Sequence, residues 1–82
     1  MKTVKYFTAS WCAPCKIFKP IMKEIEGEGH SIQFIDVDYD EGDIAEKYEI
    51  TSVPTSIIEE AGKEIERFVG ELSKEEVLNK LV

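Results

Sequence analysis

The chain has 82 residues, of which 43% are hydrophobic and 33% charged, and its formal net charge is −7. This length and balance predict one folded domain over residues 1–82 rather than a disordered chain. The negative charge and the lack of a basic cluster predict that nucleic acid is not a partner. The apolar runs are too short to cross a bilayer, so no membrane partner is predicted either.

The first predicted unit is a strand followed by a long helix. The β-prone run at 4–7 predicts a buried strand, and 8–12 is predicted as a loop. From Ala13 or Pro14 to about Glu26, apolar side chains recur at helical spacing. The predicted inward stripe consists of Ile17, Phe18, Ile21, Met22 and Ile25. Pro14 suits the first helical turn, where a missing N–H costs nothing.

Proline and glycine shape the end of this helix. Pro20 lies inside the pattern and is predicted to kink it, and Gly27 and Gly29 are predicted to end it. A second strand is predicted over 31–38. Strand, helix and strand then form one βαβ unit, which implies parallel pairing with a right-handed crossover.

The rest of the chain predicts a short helix, a hairpin and a last helix. An acidic loop at 38–42 precedes a helix near 43–48, with Ile44, Ala45 and Tyr48 inward. Strands over 55–59 and 64–69, joined by a turn at 60–63, predict a β-hairpin. After a break at Gly70, Ser73 and Glu76 have the spacing of a capping box. The helix that follows has Val77, Leu78 and Leu81 inward. The order βαβαββα predicts an α/β fold with a four-stranded mixed sheet and helices on both faces.

The two cysteines are separated by only three positions. A disulfide scaffold of a secreted protein carries more cysteines, spread along the chain. A bridge between Cys12 and Cys15 would close almost no loop and add little stability. Reactivity therefore explains the pair better than stapling. The start of the chain, Met1–Val4, leads straight into a strand without an apolar leader, which predicts a cytoplasmic protein.

The stretch Trp11-Cys12-Ala13-Pro14-Cys15-Lys16 lies between the first strand and the first helix, the context expected for a redox C-x-x-C. Disulfide exchange needs one thiolate that attacks and a second thiol that resolves the mixed disulfide. Cys12 falls at the helix start, where free N–H groups and the helix dipole favour an anion, so it is predicted to be the nucleophile. Cys15 is predicted to be the less exposed, resolving thiol, and Lys16 adds positive charge.

The stretch 11–16 closely resembles the W-C-G-P-C-K active site of thioredoxins. Ser52-Val53-Pro54-Thr55 resembles the cis-proline loop of that family. Arg67-Phe68-Val69-Gly70 and Leu72-Ser73-Lys74-Glu75-Glu76 resemble its closing strand, glycine and last helix. The resemblance runs in order from the first strand to the last residues of the chain. The length of this chain is that of compact thioredoxins and glutaredoxin-like proteins.

The resemblance implies a thioredoxin fold and a thiol–disulfide oxidoreductase that reduces protein disulfides with Cys12 and Cys15 as catalytic residues. It implies a cis Pro54 beside Cys12, and a backbone at Val53 that pairs with an extended substrate. The residues assigned to substrate binding are Trp11, Ala13, Pro14, Val53, Pro54 and Gly70. The implied partners are disulfide-bearing proteins and an electron donor of the thioredoxin-reductase type. A monomer without a cofactor is expected.

Two positions depart from the family pattern. Thioredoxins place a buried aspartate six positions before the first cysteine, and this chain has Tyr6 there. The lysine that normally pairs with that aspartate corresponds to Phe34. In the family that aspartate helps to move a proton during resolution of the mixed disulfide, so the resemblance implies no proton route for this chain. Water or the Tyr6 hydroxyl are the substitutes, and Tyr6 and Lys16 are assigned supporting roles. Ala13 replaces the usual glycine. A glutathione site is disfavoured because no C-P-Y-C is present and no second glycine follows Gly70.

The sequence is also consistent with two alternative functions. The chain could be a dedicated electron donor to one client, such as ribonucleotide reductase. It could instead be a non-catalytic binding module that uses the thioredoxin surface.

Metal binding is a weaker interpretation of the same residues. A closed zinc site needs four ligands, and Cys12, Cys15 and His30 fall short of that in one chain, which leaves only a metal-bridged dimer. The acidic run Asp36, Asp38 and Asp40 hints at a calcium loop. It lacks the required glycine and the bidentate glutamate, because those positions hold Glu41 and Lys47. No metal is therefore predicted, and the run is interpreted as a solvated loop.

Overall fold

The computed structural model describes residues 1–82. Its elements are β1 (Lys2–Thr8), α1 (Ala13–Gly27), β2 (Ser31–Asp36), a 3₁₀ turn (Val37–Tyr39), α2 (Ile44–Lys47), β3 (Thr55–Glu60), β4 (Lys63–Val69) and α3 (Lys74–Lys80). The predicted order βαβαββα is confirmed. None of the helices has the length and apolar character needed to span a membrane.

The four strands form one mixed sheet in the order β2-β1-β3-β4. β1 runs parallel to β2 and antiparallel to β3, and β3 and β4 form an antiparallel hairpin. The last register pair of β1 and β2 joins Thr8 to Asp36. Both strands therefore end on the same side of the sheet. β1 is followed there by the loop that carries the cysteines.

Alternate residues of β1 face opposite sides of the sheet, as the period of a strand requires. Val4 and Tyr6 pack in a cluster with α1 and α3, where Phe18 and Val77 are fully buried. Phe7 packs on the other face with Ile35 and Ile57 of the sheet, against side chains of α2 and of the segments on either side of it. Burial of each such large side chain contributes about 1.5–3 kcal/mol. Helices therefore cover both faces, as predicted.

The apolar stripe of α1 is narrower than predicted. Phe18, Met22 and Ile25 are buried and Ile21 is partly buried, but Ile17 is 63% exposed. The buried set follows the spacing i, i+4, i+7, which places position 17 beyond the edge of the stripe. The helix continues through Pro20 and ends at Gly27, with Gly29 at a φ of +104°. A kink at Pro20 stays a prediction.

The second strand and second helix are both shorter than predicted. β2 ends at Asp36 because the Asp36 carboxylate accepts a hydrogen bond from the Asp38 N–H at 2.9 Å, which turns the chain into the 3₁₀ segment. α2 covers only Ile44–Lys47, preceded by Asp43 in the left-handed region at a φ of 52°. Its three predicted inward residues are partly buried against the Phe7 cluster.

The end of the chain follows the local patterns closely. The hairpin turn places Ala61 and Gly62 at φ of 54° and 79°, the geometry that matches the twist of a two-residue hairpin. Ser73 and Glu76 form a complete capping box at the start of α3. Val77 is buried there, and Leu78 and Leu81, the other two residues predicted to face inward, pack against the cluster that contains Val77.

Candidate active site

Cys12 is the residue that caps α1. Its backbone is extended, with a φ of −88° and a ψ of 111°, and its sulfur accepts a hydrogen bond from the Cys15 N–H at 3.2 Å. Pro14 occupies the first turn and gives up no hydrogen bond there. The sulfur thus lies at the positive end of a 15-residue helix. This placement favours a negative charge on Cys12.

Cys12 and Cys15 are joined by a disulfide, with their Cα atoms 5.2 Å apart. That separation lies within the ordinary range for disulfides. The pair can therefore close without moving the backbone of the first helical turn. This is the geometry that a dithiol needs in order to cycle with a disulfide.

Both cysteines are buried in the structure. Cys15 is the less exposed of the two, as expected, at 2%, but Cys12 is also buried at 5%. Ala9 packs with them, and Val37 and Val53 lie against the group. The exposed surface of Cys12 is therefore small.

The loop before β3 lies against Cys12. The Val53–Pro54 peptide bond is cis, as predicted, and the Val53 carbonyl oxygen is 3.5 Å from the Cys12 sulfur. The Gly70 N–H donates to the Pro54 carbonyl at 2.8 Å, which joins the end of β4 to this loop. The structure thus brings together Cys12, Val53, Pro54 and Gly70.

Trp11 precedes Cys12 and is exposed. Its ring is 66% exposed, and the indole N–H donates to the Asp38 carboxylate at 2.8 Å. It borders a depression of about 220 Å³ that also reaches Val53 and Ile50. Ala13 and Pro14 are exposed beside it. These residues form an accessible, partly apolar surface around Cys12.

The two residues assigned supporting roles lie in different surroundings. Lys16 is exposed and lines a cleft that reaches Cys15. Tyr6 is fully buried among core side chains, with its ring centroid 5.7 Å from that of Phe18 and 5.6 Å from that of Phe34. Its hydroxyl has no hydrogen-bond partner. Burial raises the pKa of Tyr6. Tyr6 is thus a member of the core cluster rather than of the group around the cysteines.

Replacing Tyr6 by phenylalanine is expected to stabilise the fold by about 1 kcal/mol, because it removes a buried hydroxyl without a partner. The rate of disulfide exchange should not change. Urea unfolding and a thiol-release assay measure the two effects, with Tyr39→Phe on the exposed surface as the control. A clear loss of exchange rate in Tyr6→Phe would give the hydroxyl a role in proton transfer.

The three aspartates of the acidic run form hydrogen bonds that the sequence alone does not predict. Asp36 caps the 3₁₀ turn, Asp38 binds Trp11, and Asp40 accepts from the Ala45 N–H at 2.7 Å. That backbone hydrogen bond lowers the pKa of Asp40. The spacing of aspartates ahead of helical turns could have indicated capping, but the bond between Asp38 and Trp11 joins residues 27 positions apart and has no local signal.

The fold and site together define an α/β protein with a disulfide at the start of the first helix and a cis-proline loop against it. The family model described as Thioredoxin matches residues 2–82. The chain belongs to the thioredoxin family.

Curated relatives and solved structures agree with this assignment. The chain is 40% identical over 76 residues to the H-type thioredoxin of Fagopyrum esculentum, and 39% identical over 77 residues to the thioredoxin of Mycoplasmoides gallisepticum. These matches cover 92% and 93% of this chain, and 65% and 77% of the relatives. The crystal structure of Fasciola hepatica thioredoxin superposes with a TM-score of 0.85 at 30% identity, covering 98% of this chain and 77% of that one.

The chain is shorter than these relatives. It spans 65% of the Fagopyrum protein and 56% of thioredoxin H2 of Arabidopsis thaliana, to which it is 36% identical over 77 residues, or 93% of this chain. What the longer proteins do is therefore not transferred as a whole.

Proposed function

We propose that this protein is a thiol–disulfide oxidoreductase that reduces protein disulfides by cycling between a dithiol and the Cys12–Cys15 disulfide. The observation that carries the proposal is the pair itself, which closes across the first turn of α1 and lies against the cis-proline loop. A disulfide that short in sequence contributes little as a staple. Membership of the thioredoxin family supports the same activity.

The reaction begins with the reduced protein. The Cys12 thiolate attacks one sulfur of the substrate disulfide, a bond to that sulfur forms, and the other substrate sulfur leaves as a thiolate. The Cys15 N–H and the helix dipole stabilise the charge on Cys12 before the attack. Cys15 then attacks Cys12, which releases the second substrate sulfur and leaves the protein oxidised. An electron donor of the thioredoxin-reductase type returns it to the dithiol.

The substrate would bind across the surface around Cys12. The cis-proline loop is held by Gly70 and presents backbone beside the sulfur, which suits pairing with an extended segment of the substrate. Trp11 lines the same depression as Val53 and offers a large, partly apolar ring there. Ala13 and Pro14 follow Cys12 and are exposed. We assign Trp11, Ala13, Pro14, Val53, Pro54 and Gly70 to substrate binding.

Replacing Trp11 by alanine is expected to raise the KM for a protein disulfide about tenfold, as loss of an aromatic contact at an interface does. The reduction potential against glutathione should change much less, because the helix start is untouched. Steady-state kinetics and a redox titration separate the two. Tyr39→Ala, which removes an exposed aromatic from a different depression, is the matched control. Equal KM values for Trp11→Ala and the parent protein would remove Trp11 from the docking surface.

The cellular setting follows from the same proposal. Residues 1–82 act as a single thioredoxin-like domain and a monomer, in the cytoplasm, where it carries electrons in the cell's redox homeostasis. The direction as a reductant is supported by the thioredoxin names of its relatives.

Reduction of insulin by dithiothreitol tests the activity directly. The intact protein should accelerate precipitation of the insulin B chain well above the rate with dithiothreitol alone. A rate equal to that background, for protein shown to be folded, would contradict the proposal. A redox titration against glutathione tests the direction, since a strongly oxidising potential would overturn the role as a reductant.

A further inference from the structure

A cleft of about 170 Å³ lies between the ends of β1 and β2 and the start of α1. It reaches Cys15, shares no lining residue with the depression beside Trp11, and has room for several water molecules. The polar and reactive residues that line it are Thr8, Ser10, Cys15, Lys16, Lys19 and Asp36. The resolving cysteine therefore has its own opening toward solvent, separate from the depression beside Trp11.

Asp36 is the only carboxylate among the residues that line this cleft. It is fixed at the end of β2, in register with Thr8 of β1. One of its oxygens accepts from the Asp38 N–H at 2.9 Å, and no other hydrogen bond of the protein reaches the carboxylate. The second oxygen is thus free to accept a proton or a water molecule.

The second step of the exchange needs a proton acceptor, because the thiolate of Cys15 and not its thiol is the nucleophile. Tyr6 holds the position of the family's buried aspartate, but its hydroxyl lies in the core cluster, and burial raises its pKa. A proton leaving Cys15 therefore goes more readily through the cleft than through the core.

We propose that Asp36 accepts, through water in this cleft, the proton that Cys15 releases when it resolves the mixed disulfide. The Cys15 S–H bond breaks and its proton passes to the Asp36 carboxylate. The Cys15 thiolate forms a bond to the Cys12 sulfur, and the bond between Cys12 and the substrate sulfur breaks. The substrate leaves as a thiolate, which takes up a proton from solvent or from Asp36. The proposal rests on the dithiol–disulfide exchange proposed above.

The charges around the cleft allow a proton-accepting role of Asp36 to be distinguished from a purely electrostatic one. α1 contributes Lys16 and Lys19, and β1 contributes only the uncharged Thr8. On its other side Asp36 shares a depression of about 260 Å³ with Asp40 and Glu41. Removing one negative charge from this setting would favour the Cys15 thiolate by electrostatics alone. A purely electrostatic role for Asp36 therefore predicts faster resolution without it, and a proton-accepting role predicts slower resolution.

Asp36→Asn is the decisive variant, because an amide oxygen can still accept from the Asp38 N–H but cannot take up a proton. Reduced protein is mixed with dithiobis(nitrobenzoate) in a stopped-flow instrument over a range of pH. The first equivalent of thionitrobenzoate reports attack by Cys12, and the second reports resolution by Cys15. In Asp36→Asn the first phase should be unchanged and the second slowed about tenfold or more near neutral pH. The difference should shrink above about pH 8.5, where a thiol loses its proton unaided.

Two further variants separate proton transfer from structure and charge. Asp36→Glu keeps a carboxylate and should restore most of the second phase. Asp43→Asn makes the same change of charge at an exposed residue whose side chain forms no capping bond, and both its phases should match the parent protein. A second phase that is unchanged or faster in Asp36→Asn, or two phases slowed equally, would overturn the proposal. Absence of the first phase in the unaltered protein would overturn the exchange chemistry itself.

Discussion

Replacing Cys12 by serine is expected to reduce insulin-reducing activity to the background rate, because no other thiol is placed to begin the exchange. Replacing Cys15 by serine should also stop turnover, but for a different reason. Cys12 can still attack, and the mixed disulfide then has no partner to resolve it. The Cys15→Ser variant should therefore accumulate a covalent adduct with its substrate. Non-reducing electrophoresis and intact-mass measurement detect the adduct, and dithiothreitol should release it.

The two single variants serve as controls for each other. Both remove one sulfur from the same helical turn, so a difference in adduct formation reports the order of attack and not the loss of the disulfide. Adducts formed equally by Cys12→Ser would reverse the assigned roles. The proteins captured by Cys15→Ser also show whether the chain serves many clients or one. Full biological function in the Cys12→Ser/Cys15→Ser double variant would instead indicate a non-catalytic binding module.

The second large effect is expected at Glu59, a carboxylate only 5% exposed in β3. Lys5 of β1 forms an ion pair with it at 2.5 Å, and the Tyr48 hydroxyl donates to its other oxygen at 2.7 Å. Glu59→Gln removes the charge that both groups surround. We expect a loss of about 2 kcal/mol in the free energy of unfolding, the range for hydrogen bonds to a charged group. Urea denaturation measures it.

The same variant should change the dependence of stability on pH. The hydrogen bond from Lys5, and after it the one from Tyr48, holds the pKa of Glu59 below its ordinary value. A group with a lowered pKa in the folded state stabilises the fold above its unfolded pKa, and that contribution is lost as the pH falls through the folded value. The difference in stability between parent and Glu59→Gln should therefore be full near pH 7 and shrink below about pH 4.

Glu60→Gln is the matched control for this prediction, because it changes the next residue of the same strand, which is exposed and has no ion pair. Its stability should stay within about 0.5 kcal/mol of the parent at every pH. If the difference in the free energy of unfolding between the parent and Glu59→Gln did not change with pH, that result would contradict the role assigned to the Glu59 carboxylate.

Local patterns predicted most of the backbone. The helical spacing of Phe18, Met22 and Ile25 and the capping box at Ser73 each depend on residues within a few positions of one another, and the structure confirms both. Ile17 was assigned inward because periodicity alone does not say how wide the covered stripe is. The predicted second strand runs to position 38 because its apolar pattern continues past Asp36. In the structure the Asp36 side chain binds the backbone N–H two residues later, and this bond ends the strand.

The surroundings of the site could be predicted only in part. The spacing of the two cysteines after the first strand placed them at the start of α1, and the resemblance of residues 52–55 to the family's loop implied the cis bond at Pro54. The sequence pattern could not predict the cluster at Glu59, because the ion pair with Lys5 joins residues 54 positions apart. Nor could it indicate that Asp36 and Cys15 line one cleft, because that depends on where β2 ends beside α1.

The strand β4 forms one edge of the sheet, and four of its seven residues carry charge. An edge strand presents unpaired peptide groups on which another sheet could grow. Glu64 and Arg67 are paired with each other at 2.6 Å, and Glu66 forms an ion pair with Lys80 of α3. A second molecule adding to this edge would have to strip water from these charged groups. Growth of a second sheet on the β4 edge is therefore disfavoured, also at high protein concentration.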